Sequence, residues 1–409
     1  MASTTYDPRR NRLAVFVVFG VQGFAFSLLV SRVPALQKQL GLDDGTLSIL
    51  LAVVPIVAGI GSVLAGYLTR WVSSSVLLRI AQPCVLLSLV VAPYTKNLYE
   101  AMPLLGFFGL WLGAVDATMN MQGVGLQRRY GRSIILGFHS LWAAGAIVGS
   151  GFAALGAGMD LPLSRVYLVG VIAGLCFCIP AGPSLLRGLG DETIVKTDDG
   201  KVPHVPWRPM ILLCAVMTLA YIGDSTVNNG GGVYLTKGLH STDSQSALVV
   251  GAYTFGLLLG RVRGDVLVRK FGGVPVVRAG SVVGVLGMII AISAIGPWMA
   301  IGGFFVVGLG LSVLVPQAFA AADRCDPAGT GVAIARINVF NYVGFLLGAP
   351  LVTTLWQAGV PYRMGLILPA VLIGVIALPA RGFDERRTAV PASATPLADP
   401  AETVPTLGT

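Results

Sequence analysis

Long apolar runs separated by short polar breaks recur from one end of the chain to the other. Twelve are long enough to matter: about 13–31, 48–69, 76–94, 101–123, 134–157, 163–183, 210–236, 246–263, 274–294, 297–320, 332–356 and 362–380. Each falls near the roughly 20 mostly apolar residues an α-helix needs to cross the hydrocarbon of a bilayer. The pattern therefore predicts an all-α integral membrane protein with twelve transmembrane helices. The longest internal polar stretch, at 186–208, parts them into six and six. The expected organisation is an N-terminal six-helix bundle (1–185), a cytoplasmic linker (186–208), a C-terminal six-helix bundle (209–383) and a Pro-, Ala- and Thr-rich tail (384–409) expected to be disordered.

The two halves repeat at one gapless offset of 199 residues. Gly66-Tyr67-Leu68-Thr69-Arg70 lies over Asp265-Val266-Leu267-Val268-Arg269, and Arg79 over Arg278. Gly109 lies over Gly308, Gly145 and Gly149 over Gly344 and Gly348, and His139 over Asn338. Two parallel repeats with a site between them are a transporter architecture, and an enzyme has no need of the duplication.

Composition agrees. The chain is 55% apolar and 11% charged, where a soluble domain carries about 25% charged residues. Its net charge of +9 would suit a nucleic-acid binder, but the placement of the basic residues argues otherwise. With the N-terminus inside, Arg32, Lys38, Lys96, Arg165, Lys237 and Arg363 fall outside, and the other 22 of the 28 Lys and Arg fall on or border the inner side. That bias orients a membrane protein, with both termini in the cytoplasm of a cell that carries the chain as a multi-pass protein of its plasma membrane. No nucleic-acid partner is expected. Four of the five cysteines lie inside apolar runs and read as packing residues. Neither a metal site nor a disulfide framework is indicated.

A charge inside a membrane helix is costly, which makes it a functional candidate by default. Asp116 lies mid-run in the fourth segment, with Gly109, Gly113 and Asn120 on its helix face. A carboxyl group there is placed to exchange a proton as access alternates. Asp224, the second proton-coupling candidate, lies in the seventh segment, followed by Asn228, Asn229 and three consecutive glycines at 230–232, which predict a broken or bent helix. His139, two turns into the fifth segment, is a candidate proton relay to Asp116. Asn120, Asn228, Asn229 and Asn341 are candidate substrate contacts, and Arg32 could attract an anionic group or simply snorkel. The paired glycines of the fifth and eleventh segments read as helix-packing devices. There is no Walker loop, G-x-S-x-G elbow or H-E-x-x-H motif, so no enzyme activity and no cofactor are expected. Energy must come from a coupled gradient or from the substrate's own.

Several short segments carry a family resemblance: Ser31-Arg32-Val33-Pro34-Ala35-Leu36-Gln37, Asp116-Ala117-Thr118-Met119-Asn120-Met121-Gln122, Gly137-Phe138-His139-Ser140 and Gly344-Phe345-Leu346-Leu347-Gly348. Through them the chain resembles the major facilitator superfamily, and within it a fucose-permease-like branch of bacterial proteins. The resemblance implies two pseudo-symmetric six-helix bundles, an acid at the position of Asp116, and a cavity lined by helices 1, 4, 7 and 10. That makes Gln22 and Gln317 substrate-contact candidates. The branch usually has a Trp near Gly230, and its loss here should enlarge or reshape the cavity. In the family's signature between helices 2 and 3, roughly G-x-L-x-D-R-x-G-R-R, Arg70 stands at the acidic position, and no gating ion pair is assigned there.

The expected function is secondary transport: proton-coupled, alternating-access export of a small organic molecule such as an antibiotic or metabolite. The alternative is proton-coupled import of a sugar or similar polar solute, and a membrane enzyme or receptor is remote. The expected partners are a small-molecule substrate, protons and the lipid bilayer, with the chain monomeric.

Overall fold

The structure is a computed structural model that describes residues 7–186, 205–326, 328–378 and 383. All regular structure among them is helical. Six helices form the first half: α1 (Pro8–Ser31), α2 (Gly45–Leu68), α3 (Ser74–Tyr94), α4 (Leu98–Tyr130), α5 (Ile135–Gly158) and α6 (Leu163–Ser184). Six form the second: α7 (Trp207–Gly238), α8 (Asp243–Phe271), α9 (Gly273–Ile292), α10 (Pro297–Arg324), α11 (Val332–Gln357) and α12 (Tyr362–Val375). Ten of these are both long and apolar enough to cross a membrane. The other two are α8, whose final turns carry Arg261, Arg263, Asp265, Arg269 and Lys270, and α12, which is shorter.

Polar caps set the helix starts. Asp7 accepts from the amides of Arg9 and Arg10, Asp43 from Thr46, and Asn97 from Glu100. Thr242 and Gln245 form a reciprocal capping box at α8. The short helix Val33–Leu40, which hydropathy alone did not predict, starts on Pro34 and stops at Gly41, whose φ of +63° is a left-handed conformation natural to glycine. Of the predicted linker only its two ends are described, and the tail from 384 lies outside the described residues.

With lipid as solvent, helices associate through close packing rather than through hydrophobic exclusion. The repeat is visible in that packing. A Cβ on Gly109 of α4 would run into the Val54 carbonyl of α2, and one on Gly308 of α10 would run into the Tyr253 carbonyl of α8. Val54 and Tyr253 are separated by the same 199-residue step. Gly145 and Gly149 press α5 on α1 at Gly20 and Phe24, as Gly344 and Gly348 press α11 on α7 at Thr218 and Ile222.

The expected break in α7 is instead a pair of wide π turns, Thr226–Gly230 and Tyr234–Gly238, around a short α stretch at Gly231–Val233. The helix stays continuous because side chains occupy carbonyls that the wide turns leave underused. Thr226 donates to Ile222 O, Asn228 to Asp224 O, Asn229 to Ser225 O and Thr236 to Gly232 O. Trp356 of α11 lies against Gly230, its ring 3.4 Å from where a Cβ would stand.

The halves meet along two seams, α2 against α11 and α5 against α8. Toward the face that holds Pro8, here the N-terminal face, these seams are bonded across. Arg128 pairs with Asp323 and donates to Asp326 O at 2.9 Å. Asp265 of α8 accepts from the Ser133 hydroxyl at 2.6 Å and the Gly137 amide at 2.8 Å, capping α5 from the opposite half. Ser62 of α2 donates to Ala335 O of α11 and accepts from Asn338.

We expect a branched side chain at Gly113 to separate α4 from α2, because its Cβ would collide with the Ala58 carbonyl. Gly113→Val should lower the thermal midpoint of purified protein, the loss being about 1–3 kcal/mol for overpacking. Gly59→Ala, whose Cβ meets open space, should leave the midpoint unchanged or raise it by up to about 1 kcal/mol equivalent.

Candidate functional site

Between the halves lies a chamber of about 430 Å³. Its upper wall is apolar, with Phe26, Leu29, Val30, Val33, Leu51, Val54, Leu112 and Phe345, and its rim includes the exposed residues Val30, Pro34 and Asn229. The C-terminal part of α1 and the first turns of α2 contribute to this wall, so the chamber lies toward the face opposite Pro8. Its floor is polar, with Gln22, Asp116, Tyr221, Asp224, Asn341 and Tyr342. A smaller chamber of about 100 Å³ continues below the floor toward the N-terminal face, and Asn120, His139, Tyr253, Arg261 and Asn338 are among the groups that line it. The two share Asp116, Trp142, Tyr221, Asp224 and Asn341.

The two acids are held differently. Asp116 Oδ2 accepts from the Tyr342 hydroxyl of α11 at 2.5 Å, and its Oδ1 from Gln22 Nε2 of α1 at 3.5 Å. Gln22 is itself fully buried and accepts from Gln82 of α3 at 3.3 Å. The Tyr342 bond therefore ties the two halves together at the cavity floor. Asp224 is held inside its own half: Oδ1 accepts from Tyr253 of α8 at 2.6 Å, and Oδ2 from Asn228 one turn on at 3.1 Å. Any movement that separates the halves must break the first arrangement and can preserve the second.

His139 pairs through Nε2 with Asn120 Oδ1 at 3.2 Å, and Asn120 donates to the backbone carbonyl of Asp116 at 2.8 Å. The imidazole thus reaches α4 one turn from the acid, not the carboxylate itself. It stacks on Phe319 with ring centroids 6.1 Å apart. Its backbone carbonyl accepts from Arg261 Nη1 of α8 at 3.2 Å.

Of the residues singled out from sequence, Gln22, Asp116, Asp224, Asn229 and Asn341 are brought together around the main chamber, with Asn120 and His139 around the smaller one. Three are placed elsewhere. Gln317 is buried against Gly273 at the start of α9, on the far side of α10 from the cavity lining formed by Leu311, Val315 and Phe319. Arg32 closes α1 at a position between the lining residues Val30 and Val33, and lines neither chamber. Asn228 is engaged by its own helix and by Asp224. The face of α4 also divides: Gly109 and Gly113 serve contact with α2, and only Asp116 and Asn120 turn to the cavity.

Sequence reasoning passed over Tyr342, Tyr253 and Arg261. The tyrosines gave no signal, since an aromatic residue in an apolar helix usually packs. Arg261 did give one. It falls inside the eighth apolar run, and the rule applied to the two acids applies to it equally. It had been counted with the orienting basic residues, yet it is only 7% exposed.

Comparison with known proteins is consistent across sequence and fold. A family model described as Major Facilitator Superfamily matches residues 213–406. The chain is 33% identical over 349 residues to an uncharacterised MFS-type transporter of Yersinia pestis, covering 83% of this chain and 86% of that protein. It is 26% identical to an uncharacterised transporter of Sinorhizobium fredii, over 86% of this chain and 89% of that protein. Among solved structures, FucP, a major facilitator transporter in its outward conformation, superposes with a TM-score of 0.75 at 14% identity, over 91% of this chain and 98% of that one. A variant of the Escherichia coli fucose:proton symporter FucP gives 0.68 over the same shares.

Replacing Tyr342 by Phe removes the hydroxyl that joins Asp116 to α11. A hydrogen bond to a charged group is worth about 1.5–3 kcal/mol, so the state closed at the N-terminal face should lose roughly tenfold or more in population. Cys325, buried beside that closure, reports on it. In a background with the other cysteines replaced, Tyr342→Phe should speed maleimide labelling of Cys325 by about the same factor.

Proposed function

The chain belongs to the major facilitator superfamily, and on that premise we propose that it is a proton-coupled, alternating-access exporter of a small organic molecule with an apolar body. Asp116 is its coupling group. The observation that carries this reading is the bond from Tyr342 to Asp116, because it sets a titratable carboxyl group at the point where the halves must part. A proton on the carboxyl weakens it as an acceptor for the tyrosine, while an ionised carboxylate holds the tyrosine tightly. Protonation and opening are then two aspects of one event, which is what coupling requires. Asp224, anchored within the second half by Tyr253 and Asn228, keeps those bonds as the halves part and is the second proton-coupling group. The N-terminal face is cytoplasmic in this reading, on the bias of the basic residues.

The apolar upper wall supports a substrate with an apolar body, and a chamber of about 430 Å³ is in the range that encloses drug-sized ligands. A second reading, symport of a polar solute such as a sugar, draws on Gln22, Asn229, Asn341 and Trp142 at the same chamber. Expression in a sensitive host separates them. Export lowers intracellular accumulation of some toxic organic compounds in a broad panel. Unchanged accumulation across the panel, with sugar-dependent alkalinisation of the medium, would establish symport instead.

Asp116→Asn keeps the shape of the site and removes the titration. In proteoliposomes it should abolish substrate movement driven by a pH gradient and leave substrate–substrate counterflow within about threefold of the unaltered protein, the ordinary scale of a lost polar contact. Full gradient-driven activity in that variant would remove Asp116 from the coupling role.

A further inference from the structure

Arg261 is a cation in the wrong place for a merely orienting residue. It is buried at 7% exposure within α8, about three turns from the helix end at Phe271. A charge so placed is retained only where something pairs with it. No described carboxylate forms an ion pair with it within 4 Å, although Asp224 is near enough to act on it electrostatically. Asp116 and Asp224 face the same chamber, and their hydrogen bonds go to Tyr342, Gln22, Tyr253 and Asn228 rather than to the guanidinium. Arg261 makes one hydrogen bond, from Nη1 to His139 O, and its Nε is buried without a partner.

The neighbouring polar groups are spent on one another. His139 pairs with Asn120, Asn120 donates to Asp116 O, Asn338 donates to Ser62, and Asn341 donates to Asn338. Among the donors that line the smaller chamber with capacity to spare, beside the Tyr221 hydroxyl and the Trp142 indole N–H, the guanidinium is the cationic one. That chamber adjoins the apolar main chamber above it, with Asp116, Trp142, Tyr221, Asp224 and Asn341 lining both. A fork of N–H donors at the bottom of an apolar-walled pocket matches one kind of ligand, a planar oxyanion on an apolar body.

We propose that Arg261 forms an anion subsite in the smaller chamber, and that the transported solute is a small organic acid whose carboxylate docks there while its apolar part lies among Phe26, Leu112, Trp142 and Phe345. The proposal rests on the transport reading above and supplies its substrate class. It differs from a purely structural role, in which Arg261 braces α8 against α5 as Ser62, its counterpart 199 residues earlier, braces α2 against α11. A brace affects closure but does not distinguish an acid from its amide.

Matched pairs make the test: phenylacetate with phenylacetamide, indole-3-acetate with its amide, and hexanoate with hexanamide, each added to the full chain in detergent and read by thermal shift. At least one acid should bind ten or more times tighter than its amide. Arg261→Gln should bring that acid down to the affinity of the amide, and Arg261→Lys should keep part of the preference. On the unaltered protein the same acid, and not the amide, should protect Arg261 from phenylglyoxal, read by peptide mass spectrometry, so the result does not depend on the variants folding. Equal binding of acid and amide in all pairs, no shift with any acid, or a preference that survives Arg261→Gln would each overturn the proposal. These measurements need no proton gradient. A negative result therefore leaves the coupling role of Asp116 standing, and an active Asp116→Asn variant leaves the anion subsite standing.

Discussion

A polar group in the middle of a bilayer has no water to turn to, so it must be satisfied by the protein or by what the protein carries. This constraint organises the molecule. Lipid-facing surfaces carry large apolar side chains such as Ile56, Ile60, Val169, Ile172 and Val282. The polar groups are collected at the seam between the halves, where Gln82, Gln22, Asp116 and Tyr342 form one chain of hydrogen bonds from α3 through α1 and α4 to α11. Glycines then allow the helices to come close enough for such short side chains to meet. Without the approach of α4 to α2 at Gly109 and Gly113, Asp116 would stand farther from its partners.

The seam is bonded unequally. Among the described residues, the cross-half hydrogen bonds run from the Tyr342–Asp116 contact toward the N-terminal face, through Arg261, Ser62, Asp265, Thr69 and Arg128. The chamber lies on the other side of that contact. The structure is thus closed at the N-terminal face, with the chamber reaching the opposite face. Closure is achieved without an acid at the signature position, where Arg70 stands. Asp265, one turn before the equivalent Arg269 of the second half, supplies the negative charge and places it on the amides that begin α5, where a helix dipole favours an anion. Arg269 adds a bond to Ser133 O at 2.8 Å.

Two ways of holding an acid divide the work at the floor. Asp224 is bonded within one half and Asp116 across two, so the same side-chain type is held by one half alone in one place and by both in the other. The π turns of α7 belong to this arrangement. They take up the residues 226–230 and 234–238, where Asn229 bonds back to its own helix and Asn228 bonds both the Asp224 carbonyl and its carboxylate, which Tyr253 holds from the other side.

The linear chain alone determined the twelve helices, their grouping in sixes and the repeat, because a membrane span is a local property of composition and the 199-residue step survives in glycine and polar positions. It also pointed to Asp116 and Asp224, since any acid within an apolar run stands out against the cost of burying charge. What it could not decide was which side of each helix faces the cavity. Gln317 and Gln22 look alike as polar residues in apolar runs, yet one is buried against α9 and the other touches the central acid. That difference depends on helix rotation, which is set by packing against neighbours distant in sequence. The partners of the acids were hidden for the same reason: Tyr342 is 226 residues from Asp116, and nothing local to either residue announces the other. Arg261 lay between the two cases. Its burial was inferable from the apolar run around it, but only the fold put it at the bottom of a chamber with no carboxylate at ion-pair distance.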